Sequence, residues 1–220
     1  GDTMKDDQPI DAQLCFVTPD AVMEVVRQDP VKFGSQGPGH DGPMKEPMIN
    51  TFIRMMRQSG INPGPTQFFA AVAEVEGWCI TGADLFGWRE VVAIDPAWRR
   101  RVMNAYCGFC NGLAVAGHCF MSGRILSCYW SKIKDCTGKA DLIVLRKDGI
   151  EVSVGLTMDS AESKLFEQRK MAKSARNGQK WPDKMLYLDR VTHRDEASNM
   201  AWYRQEDIEP ILTWSKEILL

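Results

Sequence analysis

The stretch from Asp141 to Lys164, DLIVLRKDGIEVSVGLTMDSAESK, constrains the fold more than any other. It opens with a carboxylate at the head of an apolar run and turns at Lys147-Asp148-Gly149. A second apolar run follows, with Glu151 set between Ile150 and Val152. Asp159, with Glu162 three residues on, then has the form of a capping box and predicts a helix from Asp159 to about Arg176 that carries Lys164. Acids inside strand-like runs are costly to bury unless something compensates them, and a bound cation is the usual compensation. The alternative is plain: Asp141 as a strand-edge or turn charge, and Glu151 paired with Arg146 across a hairpin.

Turn length decides between these. A two-residue loop at Asp148-Gly149 sets Arg146 opposite Glu151 and sends Asp141 to the other side of the sheet. An odd loop of three or five residues keeps both acids on one face. With five, Glu151 is expected opposite Ile143, with Asp141 diagonal at roughly 7–8 Å, a span that a metal ion bridges. Asp141 and Glu151 are oxygen ligands of the kind Mg²⁺ and Mn²⁺ favour. Lys164 would then supply positive charge near a phosphodiester under attack, or help generate hydroxide. The site reads as a metal-dependent nuclease centre.

The rest of the chain sets bounds. Its 220 residues carry a formal net charge of −2, so any nucleic-acid site is a local patch and not a whole-chain field. No apolar run is long enough to span a membrane. The opening GDTMKDDQP is polar and acidic, unlike a signal peptide, and the chain reads as a domain cut from a longer protein. Seven cysteines, an odd number, read as free thiols in a reducing compartment. Cys107 and Cys110, with His118, Cys119, Cys128 or Cys136, are a zinc alternative; buried thiols are the commoner reading of such apolar sequence.

Residues 1–17 form a lead-in. Thr18-Pro19 starts a helix that ends before Pro30, and residues 33–47 are a Gly- and Pro-rich loop holding His40. Helices are expected over about 47–59, with Gly60 as stop, and over 66–76. Asp84 to Ile94 is ambiguous. Asp95-Pro96 opens a helix through WRRRVMNAYCGF, and helix boundaries in the apolar, Gly-punctuated segment 111–130 are uncertain. KMLYLDRV is a third strand, residues 192–200 are polar loop, and a terminal helix runs from about Glu206 to Leu220. The expected architecture is α+β, with a helical N-terminal part over 1–95 and a core over 96–220 in which helices flank a small sheet. Arg99, Arg100 and Arg101 form the densest basic cluster and are candidates for phosphate contact, against the blander reading of a solvated face. No stacking platform for bases stands out.

The organising stretch resembles the PD-(D/E)xK nuclease core. It is most similar to the cap-snatching endonuclease branch found in the L polymerase proteins of segmented negative-strand RNA viruses, the arenaviruses, hantaviruses and other bunyaviruses. Asp141, Glu151 in IEVSVG and Lys164 in ESKLFEQRK fill that pattern in order, over roughly residues 118–220. The helical, cysteine-rich first part is similar, weakly, to a nairovirus-like fragment. Ala140 stands where the family has proline, and Ser153 stands where the usual lysine follows the second acid. Lys170 rivals Lys164. The resemblance implies a PD-(D/E)xK-like core with a small mixed sheet, and a metal-binding histidine, for which His118 is preferred to His40. It also implies an upstream acid, left open among Asp95, Asp135, Glu90 and Glu76.

Together these readings predict an RNA endonuclease using two Mn²⁺ or Mg²⁺ ions. Asp141, Glu151 and His118 would be metal ligands, with Lys164 assisting catalysis and Arg99, Arg100 and Lys170 contacting nucleic acid. The resemblance further implies capped host mRNA as substrate, attachment to a polymerase polypeptide, host cytoplasm, and a monomer when isolated. A DNA nuclease of the same core, or an inert RNA-binding module, are the alternatives; Ser153 and Ala140 favour the latter.

Overall fold

The computed structural model describes residues 11–14, 16–33, 45–75, 96–131, 140–178 and 180–217. His40, Glu76, Glu90, Asp95 and Asp135, Cys15, Cys79 and Cys136, and the ambiguous segment 84–94 lie outside the described residues. The chain divides into two compact units. One comprises residues 1–16, 115–193 and 203–220, and the other residues 17–114 and 194–202. Among the described residues no helix is long and apolar enough to cross a membrane.

The second unit is mainly helical. Helix α1, Pro19–Gln28, begins where Thr18 accepts the Ala21 N–H and Pro19 fills the first turn. Helices α2, Lys45–Ser59, and α3, Pro65–Val75, follow as the apolar spacing predicts. Asp29 accepts the Thr66 N–H at 3.1 Å, satisfying one orphan donor in the first turn of α3. Helix α4 runs unbroken over Pro96–Met121. Residues 111–121, where the sequence leaves boundaries open, thus continue the helix that starts at Pro96, and its residues 115–121 belong to the first unit. Phe52, Phe68, Tyr106 and Phe109 form an aromatic cluster with ring centroids 5.2–6.1 Å apart. The buried Tyr106 hydroxyl donates to the Pro63 carbonyl at 2.6 Å, which is how a buried phenol avoids the cost of desolvation. The expected polar loop near residue 195 instead contains a short hairpin, β6 Arg194–Asp195 with β7 Met200–Ala201. Arg27 holds this hairpin with a two-pronged contact to Asp195 at 3.0 and 3.1 Å.

The first unit is a mixed five-stranded sheet with helices, which supports the α+β expectation at that level. The order is β1 (Asp11–Gln13), β2 (Ile125–Ser131), β3 (Leu142–Arg146), β4 (Glu151–Met158) and β5 (Lys184–Leu188). The sheet is larger than the three strands expected, because part of the lead-in pairs with β2 and because β2 itself follows α4 directly. The first four strands are antiparallel. Strand β5 is parallel to β4, and helix α5, Ala161–Arg176, makes the crossover that a parallel pair requires. Leu142, Val144, Val152, Val154, Leu186 and Leu188 alternate onto one buried face of the sheet.

Two expectations about α5 and the C-terminus are corrected. The cap of α5 is Ser160, whose hydroxyl accepts the Ser163 N–H at 3.0 Å, and not Asp159. Asp159 is held elsewhere: its N–H continues toward β5 by donating to the Leu188 carbonyl, and its carboxylate pairs with Lys164. The terminal helix is short. A 3₁₀ turn, Gln205–Ile208, leads into α6, Glu209–Thr213, with Pro210 in its first turn, and Trp214 then turns extended. Arg146, buried at the end of β3, binds Asp148 and the Ile211 and Trp214 carbonyls. It thereby satisfies carbonyls that a longer helix would have paired with its own N–H groups.

Candidate functional site

The hairpin settles the question of face. Leu145 pairs with Glu151 and Leu142 with Val154, and Arg146 donates its N–H to Ile150 across a loop of Lys147, Asp148 and Gly149. Gly149 sits at φ +86°, a conformation that this loop demands and that glycine adopts without strain. The odd loop puts Asp141 and Glu151 on the same face of the sheet. It does not make them neighbours. Glu151 lies opposite Leu145 and not Ile143, so the acids are four residues apart along the ladder, about 13 Å at the usual rise. An acid facing Asp141 across the ladder would have to stand near Gly155 or Ser153.

Each predicted residue has a local role. The half-buried Asp141 accepts the Leu156 N–H at 2.7 Å and donates its own N–H to the Val154 carbonyl, so it extends the β3–β4 ladder past the end of β3. Glu151 is exposed near the turn, where the Tyr129 hydroxyl reaches it at 3.5 Å. Both ring nitrogens of His118 face oxygen atoms: Nδ1 the Gln205 side chain at 2.9 Å, and Nε2 the Tyr203 carbonyl at 3.1 Å. Gln205 returns a bond to the His118 carbonyl at 3.0 Å. This imidazole fastens the end of α4 to the 3₁₀ turn, and a metal would have to displace one of those contacts.

As ligands of one ion the predicted trio does not fit. Asp141 and Glu151 are too far apart, and His118 is committed to Gln205 and Tyr203. Among the described residues no group of three His, Cys, Asp or Glu is arranged to hold a metal.

Lys164 is better placed than the acids. Its ammonium lies 2.7 Å from Asp159 and 5.6 Å from the centre of the Tyr187 ring. The Tyr187 hydroxyl donates to Glu167 at 3.0 Å. Glu167 is one of the few buried polar side chains of α5, and its second carboxylate oxygen has no hydrogen-bond partner. Burial first, and Glu167 second, push the Tyr187 phenol above its ordinary range, which keeps it a donor. Tyr203, buried beside this region, donates to the Thr157 and Leu186 carbonyls, and burial likewise raises its phenol. Lys164, Asp159, Glu167 and Tyr187 therefore form a polar cluster beside the last residues of β4, where Tyr187 pairs with Thr157, and Asp141 bonds the same half of that strand at Val154 and Leu156. Tyr187 and Glu167 were missed in the sequence. The one signal was helical phase: Glu167 and Ser174 are seven residues apart and so share a face.

The nucleic-acid candidates separate. Arg99 is buried, with 1% exposure, and donates to the Lys32 carbonyl; burial lowers its pKa to about 10. It is a core residue of the helical unit and presents no surface to a phosphate. Arg100 is half-buried. Lys170 is exposed, with its ammonium 4.4 Å from the Phe166 ring centre. Cys110, Cys119 and Cys128 are buried thiols, and burial drives the first two to about 12 and Cys128 well above its ordinary value. Cys110 accepts a long contact from Asn62 at 3.7 Å. No family model matches this chain, and no curated protein or solved structure matches it either.

Proposed function

We propose that this chain is a divalent-metal-dependent RNA endonuclease domain of the PD-(D/E)xK type. The observation that carries the reading is a shared location. A strand–turn–strand–helix frame brings Asp141, at the head of β3, to the same end of β4 as Lys164, at the start of α5. Carboxylate oxygens are the donors Mn²⁺ and Mg²⁺ favour, and Asp141 supplies one there. Capped host mRNA as substrate, the host cytoplasm and attachment to an L-type polymerase rest on the resemblance alone.

Melting the protein with and without Mn²⁺ tests the reading, together with cleavage of a labelled single-stranded RNA. An ion bound only by the native state raises Tm by mass action. The expected result is a Mn²⁺-dependent rise and cleavage, both lost in Asp141→Ala. A DNA strand of the same sequence separates the DNA-nuclease alternative. The absence of both the shift and the cleavage sinks the enzyme.

A second reading is favoured by one specific observation, the separation of Asp141 from Glu151. On that reading the domain keeps the nuclease frame and binds RNA without cutting it. RNA binding with no metal response is its signature.

A further inference from the structure

Helix α5 is attached to its unit by a narrow strip. Of the side chains described on it, only Glu167 and Ser174 are buried. Its sequence, AESKLFEQRKMAKSAR, carries five basic and two acidic residues in a chain whose net charge is −2. At about 100° per residue, Leu165, Arg176, Arg169, Lys173, Phe166 and Lys170 fall in that order within an arc of about 140°, which runs from Leu165, opposite Glu167 and Ser174, round to Lys170, about 40° from Ser174. All six are exposed. Lys173 and Arg176 in the last turn gain from the helix dipole, but Arg169 and Lys170 do not share that reason. Arg169 with Lys173, Lys170 with Lys173, and Lys173 with Arg176 are like charges at helical contact spacing, each mildly destabilising. Among the described residues no ion pair answers Arg169, Lys173 or Arg176. Isolated, the helix would gain from alternating signs; an external polyanion removes the penalty.

We propose that this face of α5 is a docking surface for single-stranded RNA. The four cations take the phosphates, and Phe166, with Lys170 over its ring, offers a plane for a base. Charge complementarity and the interleaved aromatic ring select the class of partner. The choice of RNA over DNA rests on the function proposed above. A membrane surface fits less well: Leu165 and Phe166 lie in one turn among cations and form no continuous apolar face.

The test is fluorescence anisotropy with a labelled 12-nucleotide RNA in EDTA, so that binding is read without metal or cleavage. Arg169→Glu with Lys173→Glu and Arg176→Glu should weaken binding at least tenfold. The neutral set, each of the three changed to Gln, should make the slope of log K against log salt shallower by about 2. Phe166→Ala should cost about fivefold or more. Arg54→Glu with Arg57→Glu and Lys147→Glu, exposed cations elsewhere, should leave affinity unchanged. Equal loss in this control overturns the proposal, as does undiminished binding in the α5 variants. Capture by phosphatidylserine vesicles without RNA binding overturns it in favour of a membrane surface. Binding without Mn²⁺-dependent cleavage leaves the proposal standing and removes the enzyme, whereas cleavage by the α5 variants at unchanged affinity does the reverse.

Discussion

At the scale of single residues, ionisable groups show what each position was recruited for. Asp195 has its pKa lowered, chiefly by the hydrogen bond from Arg27 and against the opposing effect of burial. A carboxyl whose folded pKa lies below its unfolded value stabilises the fold above the unfolded pKa, near 4, and loses that contribution as pH falls through the folded value. Urea unfolding followed from pH 6 down to pH 2 should therefore show a stability decline that is shallower in Asp195→Asn than in the parent. Thiols give a second expectation. Cys110, Cys119 and Cys128 are buried with raised pKa values, so their thiolate populations at neutral pH are minute. Iodoacetamide labelling followed by peptide mapping should find these three protected in the native protein and modified only in denaturant. The sequence made buried thiols the commoner reading because the Cys107 and Cys110 pair sits in apolar sequence; Cys110 is buried, whereas Cys107 is half-buried. Nothing in the sequence warned that Arg99 would be buried, since three consecutive arginines look alike until helical phase assigns one of them inward.

At the scale of elements, the hairpin joining β3 and β4 was partly legible. The Asp148-Gly149 signal located the turn, and the parity argument bound the facing of the two acids to the number of loop residues. What the sequence left open was register, because loops of two and three residues both accommodate Asp-Gly, and a ladder displaced by two residues keeps every side chain on its face. Gly149→Ala should lower stability by about 1 kcal/mol in urea unfolding, because the left-handed conformation is strained for any residue with a Cβ while the space around it is open. Gly155 is constrained for a different reason. A side chain there would run into the Met185 thioether and Pro182. Gly155→Val should cost about 1–3 kcal/mol by overpacking, and Met185→Ala in the same chain should recover part of it. Helix α5, which buries so little, should exchange its amide hydrogens faster than β3 and β4.

At the scale of the whole molecule, the two units are each assembled from separated pieces of chain. The expectation of a helical part over 1–95 and a core over 96–220 followed from composition and periodicity, which register local patterns; the observed units instead divide after residue 114, and residues 1–16 belong with the sheet. The return of residues 194–202 to the helical unit did not, because it depends on long-range contacts such as Arg27 with Asp195. The same limit applied to the polar cluster around Lys164: Tyr187 comes from a strand that only the crossover brings beside α5. A fragment starting at residue 96 should be poorly soluble and lack a cooperative melt. It keeps Tyr106 and Phe109 while discarding Phe52 and Phe68, which they pack against. Size-exclusion chromatography and near-ultraviolet circular dichroism read that outcome directly.

Strand β1 has a consequence in time. Asp11 is joined to Ser131, Ala12 to Trp130 and Gln13 to Tyr129. A ribosome delivers the first partner of each couple long before the second. At about 5–20 residues per second the wait is roughly 6–24 s. Throughout it the earlier segment has no ladder to join, so β1 takes its place in the sheet only after residue 131 has been made.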